Sequence, residues 1–226
     1  AIGTGRLSAR TPYDVSLYLN KIIQFEQAQA HPQPWMKNIL HFGGGSSVQE
    51  QFQLATYLNH YEQTIEAPFF GGEVKTFLKT TSDPMQINQS DSLKNIINNG
   101  VTIMTFFGHA ASVGFDVSVD VPSEYQNYGK YPFILANSCW AGDIFLDANS
   151  SSEEFILIEN KGAIGYLASI SLGMPWALDV YSDELYHQIS YKSYGKPIGD
   201  IIKKTIDSLQ TPDLIKKETF LTMVFH

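Results

Sequence analysis

The sequence predicts an α/β protein with a mostly parallel central sheet, and three observations support this prediction. Short apolar runs of strand length alternate with longer segments of helical periodicity, the arrangement of parallel sheets covered by helices. Two of these runs, Val101–Phe107 and Pro132–Ala136, lead directly into polar segments, as buried parallel strands do at their carboxyl ends. The 226 residues are 43% hydrophobic and 13% aromatic, which is typical of a well-packed globular protein.

The N-terminal part of the chain predicts two strands, each followed by a helix. Ala1–Leu7 is short and leans apolar, so we expect the end of a strand. Thr11–Asp14 begins a helix with a hydroxyl cap, a proline and an acid, and this helix should extend to about Gln27. Its apolar face is predicted to consist of Val15, Tyr18, Leu19, Ile22 and Ile23. Ile39–Phe42 indicates a buried strand, and the following helix should reach about Tyr61.

Gly43–Gly45 lies between this buried strand and its helix. A strand, glycines and a helix in succession invite a nucleotide-binding interpretation. The spacing matches neither the dinucleotide fingerprint nor the P-loop, which requires Gly-Lys-Ser/Thr. We therefore interpret the glycines as a tight turn at which helix and sheet approach closely.

The rest of the chain continues the alternation. Further strands are predicted at Glu73–Thr80, Val101–Phe107, Pro132–Ala136 and Gly162–Ser169. Further helices are predicted at Ser92–Asn99 (capped by Ser90 or Asp91), Ser151–Lys161, Trp176–Tyr191 and Pro197–Leu209. Gly100 suits a left-handed cap, and Asp213–Phe225 is compatible with a helix or with a helix followed by a strand.

The chain contains no internal repeat or linker, so we predict one domain spanning residues 1–226. It begins without an initiator Met or a signal peptide and stops after the apolar run Phe220–Phe225, so we expect it to be a fragment of a longer protein. Lys and Arg number 15 against 23 Asp and Glu, and a net charge of −8 argues against a nucleic-acid partner. No apolar run approaches the roughly 20 residues of a membrane span.

Two chemically reactive side chains follow neighbouring predicted strands. Val101–Phe107 leads to Gly108-His109, and Pro132–Ala136 leads to Cys139, the only cysteine of the chain. A thiolate is a good nucleophile, and an imidazole can take its proton and later protonate a leaving amine. The pattern therefore predicts Cys139 as a nucleophile and His109 as its general base and acid.

Acyl transfer also needs hydrogen-bond donors for the developing oxyanion. The backbone N–H groups of Cys139 and Ala110 are the natural candidates, and the small residues around both centres leave room for a peptide. Against this, a lone Cys is usually inert packing and a lone His is often structural, so both interpretations stay open on the residues alone. The remaining histidines have no metal-ligand spacing, and we predict neither a metal nor another cofactor.

At these residues the chain resembles the gingipain family of cysteine peptidases. Gly5-Arg6-Leu7-Ser8 resembles the family's Gly-Arg-Phe/Leu-Ser segment, and Phe107–Ser112 resembles its Tyr/Phe-x-Gly-His-Gly-Ser. Pro132–Asp143 is similar to its Pro-Phe, strand, Cys-x-x-Gly-Asp pattern. Within the family, Phe106–His109 and Asn137–Cys139 most resemble the sortase-like proteins of the type IX secretion system of Bacteroidetes.

The resemblance implies a caspase–hemoglobinase-like three-layer sandwich and a peptidase of the cell envelope. It implies that a secreted cargo polypeptide is the substrate, cut at a C-terminal sorting signal, with the acyl-enzyme resolved by water or by an amine. It also places Ser169, Ser171 and Trp176 along the substrate pocket. Secretion-system components are possible further partners.

The chain departs from the family pattern at three points. Ala110 replaces a residue that is often Gly, where a glycine-only conformation would be strained. The acid that orients the histidine is expected upstream of Gly5-Arg6, outside this chain, and the family's Gly-Asp-Pro turn after Phe225 is missing. We expect Asp116 and Asp120 either to read a basic substrate side chain or to form a solvated acidic loop.

These departures leave a second function hypothesis, a catalytically inactive family member that serves as a secretion scaffold or docking module. A nucleotide-binding module built on Gly43–Gly45 is a third and weaker one.

Overall fold

A computed structural model of the chain describes residues 3–83, 90–111, 114–117, 121–145, 150–210 and 223–225. The strands are β1 (Asn38–Gly43), β2 (Glu73–Leu78), β3 (Ile103–Phe107), β4 (Ala110–Ala111), β5 (Gly114–Phe115), β6 (Phe133–Asn137), β7 (Gly165–Ser169) and β8 (Met223–Phe225). The α-helices are α1 (Pro12–Gln29), α2 (Val48–Glu66), α3 (Ser90–Asn99), α4 (Ser151–Ile156), α5 (Pro175–His187) and α6 (Ile198–Leu209).

The central sheet has the strand order β2-β1-β3-β6-β7-β8. The first five strands are parallel, and β8 joins β7 as a short antiparallel edge. β4 and β5 form a separate hairpin directly after β3. The predicted α/β fold with a mostly parallel sheet is confirmed.

Helices cover both faces of the sheet, which explains why β1, β3, β6 and β7 are buried at almost every position. Alternate strand residues point to opposite faces. Leu40, Met104 and Ile134 face the cluster that includes residues of α3 and α4. Ile39 and Leu135 face the cluster built with α2, α5 and α6. The result is the three-layer arrangement that the resemblance implied.

The layer under α2 and α5 contains buried polar side chains as well. The Tyr186 hydroxyl lies 2.8 Å from His41 Nε2 and 2.6 Å from Thr105 Oγ1. Burial lowers the pKa of His41 to about 3, so the imidazole stays neutral. His41 is therefore a core residue, in agreement with its predicted position in a strand.

Two predictions for the N-terminal segment are wrong. Gly3–Leu7 is not part of the sheet, since Gly3 packs its backbone against Gly199 of α6. On α1, Tyr18 and Ile22 of the predicted apolar face are half-buried, and Tyr18 packs against the core, but Val15, Leu19 and Ile23 are exposed. The buried side chains are instead Leu17 and Lys21. The helix is turned toward α4, where the Lys21 ammonium finds carbonyl partners that periodicity cannot reveal.

The predicted helix signals mostly hold, with shifted ends. Thr11 and Asp14 form the expected capping box at the start of α1. Gly100 follows α3 with a positive φ of 113°. α4 is capped by Ser150 and ends at Ile156, earlier than expected, and α5 passes into a π-helical turn at Gln188–Lys192. Within the described ranges, no helix is long and apolar enough to cross a membrane.

Lys21 gives the fold a pH-dependent stability. Its Nζ donates to the carbonyls of Phe155 and Ile156 at 3.3 and 3.0 Å, at the end of α4, and burial lowers its pKa from 10.5 to about 7. Between these values the unfolded chain binds more protons than the folded one, so the free energy of unfolding rises with pH, by at most about 1.4 kcal/mol per pH unit. Urea unfolding should therefore show wild type gaining stability relative to Lys21→Met between pH 7 and 9.5.

Lys203→Met is the matched control, because Lys203 is an exposed lysine that pairs with Asp207 on the surface of α6. The stability difference between this variant and wild type should not change over the same pH range. A difference between wild type and Lys21→Met that is equally flat would contradict the prediction.

Candidate active site

The parallel pairing of β3 with β6 brings His109 and Cys139 to the same edge of the sheet. Phe107 of β3 pairs with Asn137 of β6. His109 lies two positions after Phe107, and Cys139 lies two positions after Asn137. The Gly108 N–H extends the pairing by donating to the Asn137 carbonyl at 3.2 Å. Because neighbouring strands lie about 4.8 Å apart, the two residues start from adjacent backbone positions. The predicted strand-end setting is confirmed.

Cys139 lies in a tight turn that the loop after β7 holds in place. The N–H of Trp140 donates to the Ser171 carbonyl at 3.0 Å, and the N–H of Gly142 donates to the Ser169 carbonyl at 2.9 Å. Trp140 adopts a left-handed φ of 58°. The turn leaves the Cys139 thiol partly buried and free of any disulfide.

The resting thiol is in contact with Gly173. The Gly173 N–H donates to Cys139 Sγ at 3.3 Å, and the Gly173 carbonyl lies 3.9 Å from the sulfur. A side chain at position 173 would have to displace the end of the Leu178 side chain of α5, because a Cβ there would lie 2.5 Å from Leu178 Cδ1.

His109 is paired with a carboxylate that lies within this chain. Its Nε2 is 2.9 Å from Glu50 Oε1, in the first turn of α2. The His109 side chain is 53% exposed and that of Glu50 is 24% exposed, so the pair lines an open surface. The acid that the resemblance implies upstream of Gly5-Arg6 lies outside this chain and stays a prediction, and within the described residues Glu50 is a carboxylate partner of His109.

Glu50 is held in its ionised form. Burial by itself would raise the pKa of Glu50, but hydrogen bonds from the Ser46 N–H and hydroxyl, at 2.7 and 2.8 Å, and the contact with His109 lower it below its ordinary value. Sequence reasoning missed this residue. The available signal was an acid in the first turn of the helix that follows a strand, a position that usually serves only the helix dipole.

Asp116 is a buried carboxylate at the centre of the turns around His109. Its Oδ1 accepts from the His109 N–H at 3.2 Å, and its Oδ2 accepts from the Gly45 N–H at 2.9 Å. Lys79 Nζ lies 3.3 Å from Oδ2, with the two side chains only 2% and 7% exposed. Neither expected role of Asp116 is correct, because a buried and paired carboxylate is neither solvated nor open to a substrate. Asp120 lies outside the described residues.

The glycine turn after β1 leaves space for the Asp116 carboxylate. A Cβ on Gly44 would lie 2.2 Å from Asp116 Oδ1, and a Cβ on Gly108 would lie 2.6 Å from the same atom. The tight-turn interpretation of Gly43–Gly45 is thus confirmed. The groups that approach these glycines closely are the Asp116 carboxylate and the start of α2. Since the Gly45 N–H donates to Asp116, this turn does not offer a phosphate the cradle that a nucleotide site needs.

The backbone around Ala110 is compatible with an oxyanion-binding role. The Asp116 N–H donates to the His109 carbonyl at 2.9 Å, and the next pair across the hairpin is Ala110 with Phe115. Hydrogen-bonded and non-hydrogen-bonded pairs alternate in antiparallel strands, so the Ala110 N–H points away from β5. Ala110 has no positive φ, so the expected strain from replacing glycine is absent.

The predicted pocket residues lie at the end of β7 (Ser169), in the following loop (Ser171) and at the start of α5 (Trp176), and they differ in accessibility. Ser169 is fully buried, and its hydroxyl bonds to the N–H and carbonyl of Ser171 at 3.2 and 2.9 Å, so it shapes the loop from inside. Trp176 is 43% exposed, at the start of α5. The contacts of these residues with a substrate stay predictions. Two exposed side chains that sequence reasoning missed, Leu172 and Met174, flank Gly173 beside the thiol.

The fold and this site define a class: a caspase-like α/β protein that carries a cysteine and a histidine at adjacent strand ends. The family model of "Peptidase family C25" matches residues 1–225, so the chain belongs to this family, whose members include the gingipains. No curated protein matches the chain significantly in sequence.

Solved structures share the fold at low sequence identity. A structure of a protease has a TM-score of 0.73 at 14% identity, covering 96% of this chain and 52% of its own. The Arg-specific cysteine proteinase gingipain R (RgpB) has a TM-score of 0.69 at 14% identity, covering 98% and 53%. The complex of the pro- and mature domains of Porphyromonas gingivalis RgpB gives 0.68 at 14% identity, covering 98% and 54%. The chain thus spans about half the length of these structures.

The packing of Gly44 against Asp116 can be tested by a double-mutant cycle. Gly44→Ala should lower the free energy of unfolding by about 1–3 kcal/mol, because the new methyl group overlaps the Asp116 carboxylate. In an Asp116→Ala background the same substitution should cost clearly less, because the overlapping oxygens are gone. Chemical denaturation of the four proteins measures both costs, and equal costs in the two backgrounds would show that Asp116 is not the obstacle.

Proposed function

We propose that this chain is a cysteine peptidase domain in which Cys139 is the nucleophile and His109 is the general base and acid. The observation that carries the proposal is the matched position of the two residues beyond the Phe107–Asn137 pair. Membership of peptidase family C25 supports the reaction class. Glu50 completes the site, since its contact with Nε2 orients the imidazole and leaves Nδ1 to exchange a proton.

The reaction begins when the Cys139 proton passes to His109 Nδ1 and Sγ attacks the carbonyl carbon of a bound peptide. The N–H groups of Cys139 and Ala110 stabilise the oxyanion of the tetrahedral intermediate. When the intermediate collapses, the C–N bond breaks and His109 gives its proton to the leaving amine, which leaves a thioester on Cys139. Water attacking this thioester yields a carboxylic acid, whereas an amine nucleophile yields a new amide.

The finer assignment is to a sortase of the type IX secretion system, located in the cell envelope. It rests on the resemblance of Phe106–His109 and Asn137–Cys139 to that branch of the family. In this role the substrate is a secreted cargo protein whose C-terminal sorting signal is cut off, and an amine acceptor resolves the thioester. Ser171 and Trp176 are assigned to the substrate pocket, with Ser169 shaping the loop that carries them.

The alternative is an inactive family member that docks another secretion component. The contact of the resting thiol with Gly173 favours this alternative only if the thiol stays there when a peptide is present. Reactivity toward a peptide electrophile separates the two functions, because a docking module needs no activated thiol.

Cys139 should react with benzyloxycarbonyl-Phe-Ala chloromethyl ketone much faster than a free model thiol does. His109→Ala should slow this reaction by roughly 100-fold or more, because the thiol loses its base. Cys139→Ala, which removes the only thiol of the chain, controls for labelling elsewhere. Mass spectrometry of the labelled protein over time measures the rates. If wild type reacts no faster than the model thiol and His109→Ala has no effect, the catalytic proposal fails and the docking role stands.

Glu50→Gln should slow the same labelling at least about tenfold, because a neutral amide orients the histidine less strongly. Glu62→Gln is the matched control, since Glu62 lies on the same helix and bonds Thr76 of β2 away from the site. An equal effect of both variants would remove Glu50 from the mechanism.

The Glu50 carboxylate should also contribute to stability in a pH-dependent way. Because the pKa of Glu50 is lower in the folded state than its ordinary 4.5, its contribution is complete above pH 4.5 and is lost as the pH falls through the lowered value. The difference in urea-unfolding free energy between wild type and Glu50→Gln should therefore be constant at neutral pH and shrink below pH 4.5. A difference that grows toward acid would contradict this sign.

A further inference from the structure

We propose that Asp116 and Lys79 are positioning residues of the catalytic site, which set the backbone of His109 and the direction of the Ala110 N–H. This inference rests on the proposed peptidase function. Neither side chain reaches the reacting atoms, and both side chains are buried.

The Asp116 carboxylate joins the carboxyl ends of three neighbouring strands. It accepts from the Gly45 N–H after β1 and from the His109 N–H after β3. It also pairs with the ammonium of Lys79, the residue that follows β2. Lys79 is itself fixed by its backbone, because its N–H donates to the Gly43 carbonyl at 2.7 Å. The edge strand β2 is thereby connected to the loop of the general base.

His109 is held by Asp116 at two points. The side chain of Asp116 accepts from the His109 N–H, and the N–H of Asp116 donates to the His109 carbonyl. A residue fixed at both its N–H and its carbonyl cannot rotate its peptide planes independently. The next peptide plane carries the Ala110 N–H, so the same contacts determine both where the imidazole starts and where one oxyanion donor points.

Lys79 is required because a carboxylate buried without a counter-charge is strongly unfavourable. Removing only one member leaves a buried unpaired charge, which destabilises the protein whatever the pair does for catalysis. Replacing both members by uncharged residues of similar size removes that problem, and such replacements are often neutral for stability. The double replacement therefore separates a positioning role from a purely structural one.

The test compares wild type with Asp116→Asn, Lys79→Met and the double variant. The probe is benzyloxycarbonyl-Phe-Ala chloromethyl ketone, and the readouts are the maximal inactivation rate and the half-saturating concentration, together with the thermal midpoint. We expect the double variant to regain most of the thermal midpoint that the single variants lose. Its maximal inactivation rate should stay about tenfold or more below that of wild type, because a neutral Asn cannot accept from both N–H groups as the carboxylate does. Its half-saturating concentration should stay within about threefold of the wild-type value, because the binding surface for the probe is unchanged.

Lys21→Met is the control for a buried lysine far from the site, since Lys21 contacts the end of α4. Its maximal inactivation rate should equal that of wild type even if its thermal midpoint changes. A double variant that regains both stability and the full inactivation rate would overturn the proposal. So would a Lys21→Met variant that loses rate to the same degree as the double variant.

Hydrogen exchange provides a readout that does not depend on catalysis. The His109 and Gly45 amides donate to the two oxygens of Asp116, and Asn keeps only one acceptor oxygen, so at least one of these amides should exchange at least about tenfold faster in the double variant, while amides in the centre of β6 keep their protection. Unchanged exchange at both amides would overturn the positioning role. If wild type fails to react with the probe, the peptidase proposal fails, and the exchange experiment still decides whether Asp116 fixes the His109 backbone.

Discussion

The parallel pairing of β3 with β6 is the interaction on which the candidate site depends. Both strands are buried on both faces, so their register is fixed by two apolar clusters at once. A slip by one residue would place core side chains of each strand on the wrong face and would separate the two strand ends. The Gly108-to-Asn137 hydrogen bond extends this register to the turns themselves. The alignment of His109 with Cys139 is thus a consequence of core packing and needs no direct bond between the two side chains.

The two turns are held by different means, and this difference determines what each can do. The Cys139 turn is fixed by backbone hydrogen bonds to the Ser169–Ser171 loop, which leaves the thiol accessible beside Gly173. The His109 turn is fixed by a buried carboxylate, which requires glycine at positions 44 and 108 and a lysine as counter-charge. The glycines that suggested a phosphate-binding loop therefore surround the carboxylate of Asp116, a side chain of the same chain.

The sequence allowed the sheet and the strand-end positions of His109 and Cys139 to be predicted, because a continuous apolar run that ends in polar residues is a local pattern. It did not reveal Glu50 or the role of Asp116. Glu50 lies on a helix whose distance from His109 depends on how that helix packs. Asp116 lies in a polar segment that looks like any solvated loop until three strand ends converge on it. The exposed face of α1 was mispredicted for a related reason, since Lys21 is buried through carbonyl partners on a distant helix.

In the resting molecule the thiol and the imidazole have separate partners, Gly173 for Cys139 and Glu50 for His109. This arrangement suits a reaction in which the peptide lies between the two groups. In such a reaction the imidazole takes a proton from the sulfur and later gives it to the leaving amine. The ring must therefore reach both groups, which a permanent hydrogen bond to the thiol would prevent. The contact of Glu50 with Nε2 restricts the ring, and the contacts of Asp116 fix the His109 backbone. Catalytic hydrogen bonds that are long without substrate commonly tighten in the complex.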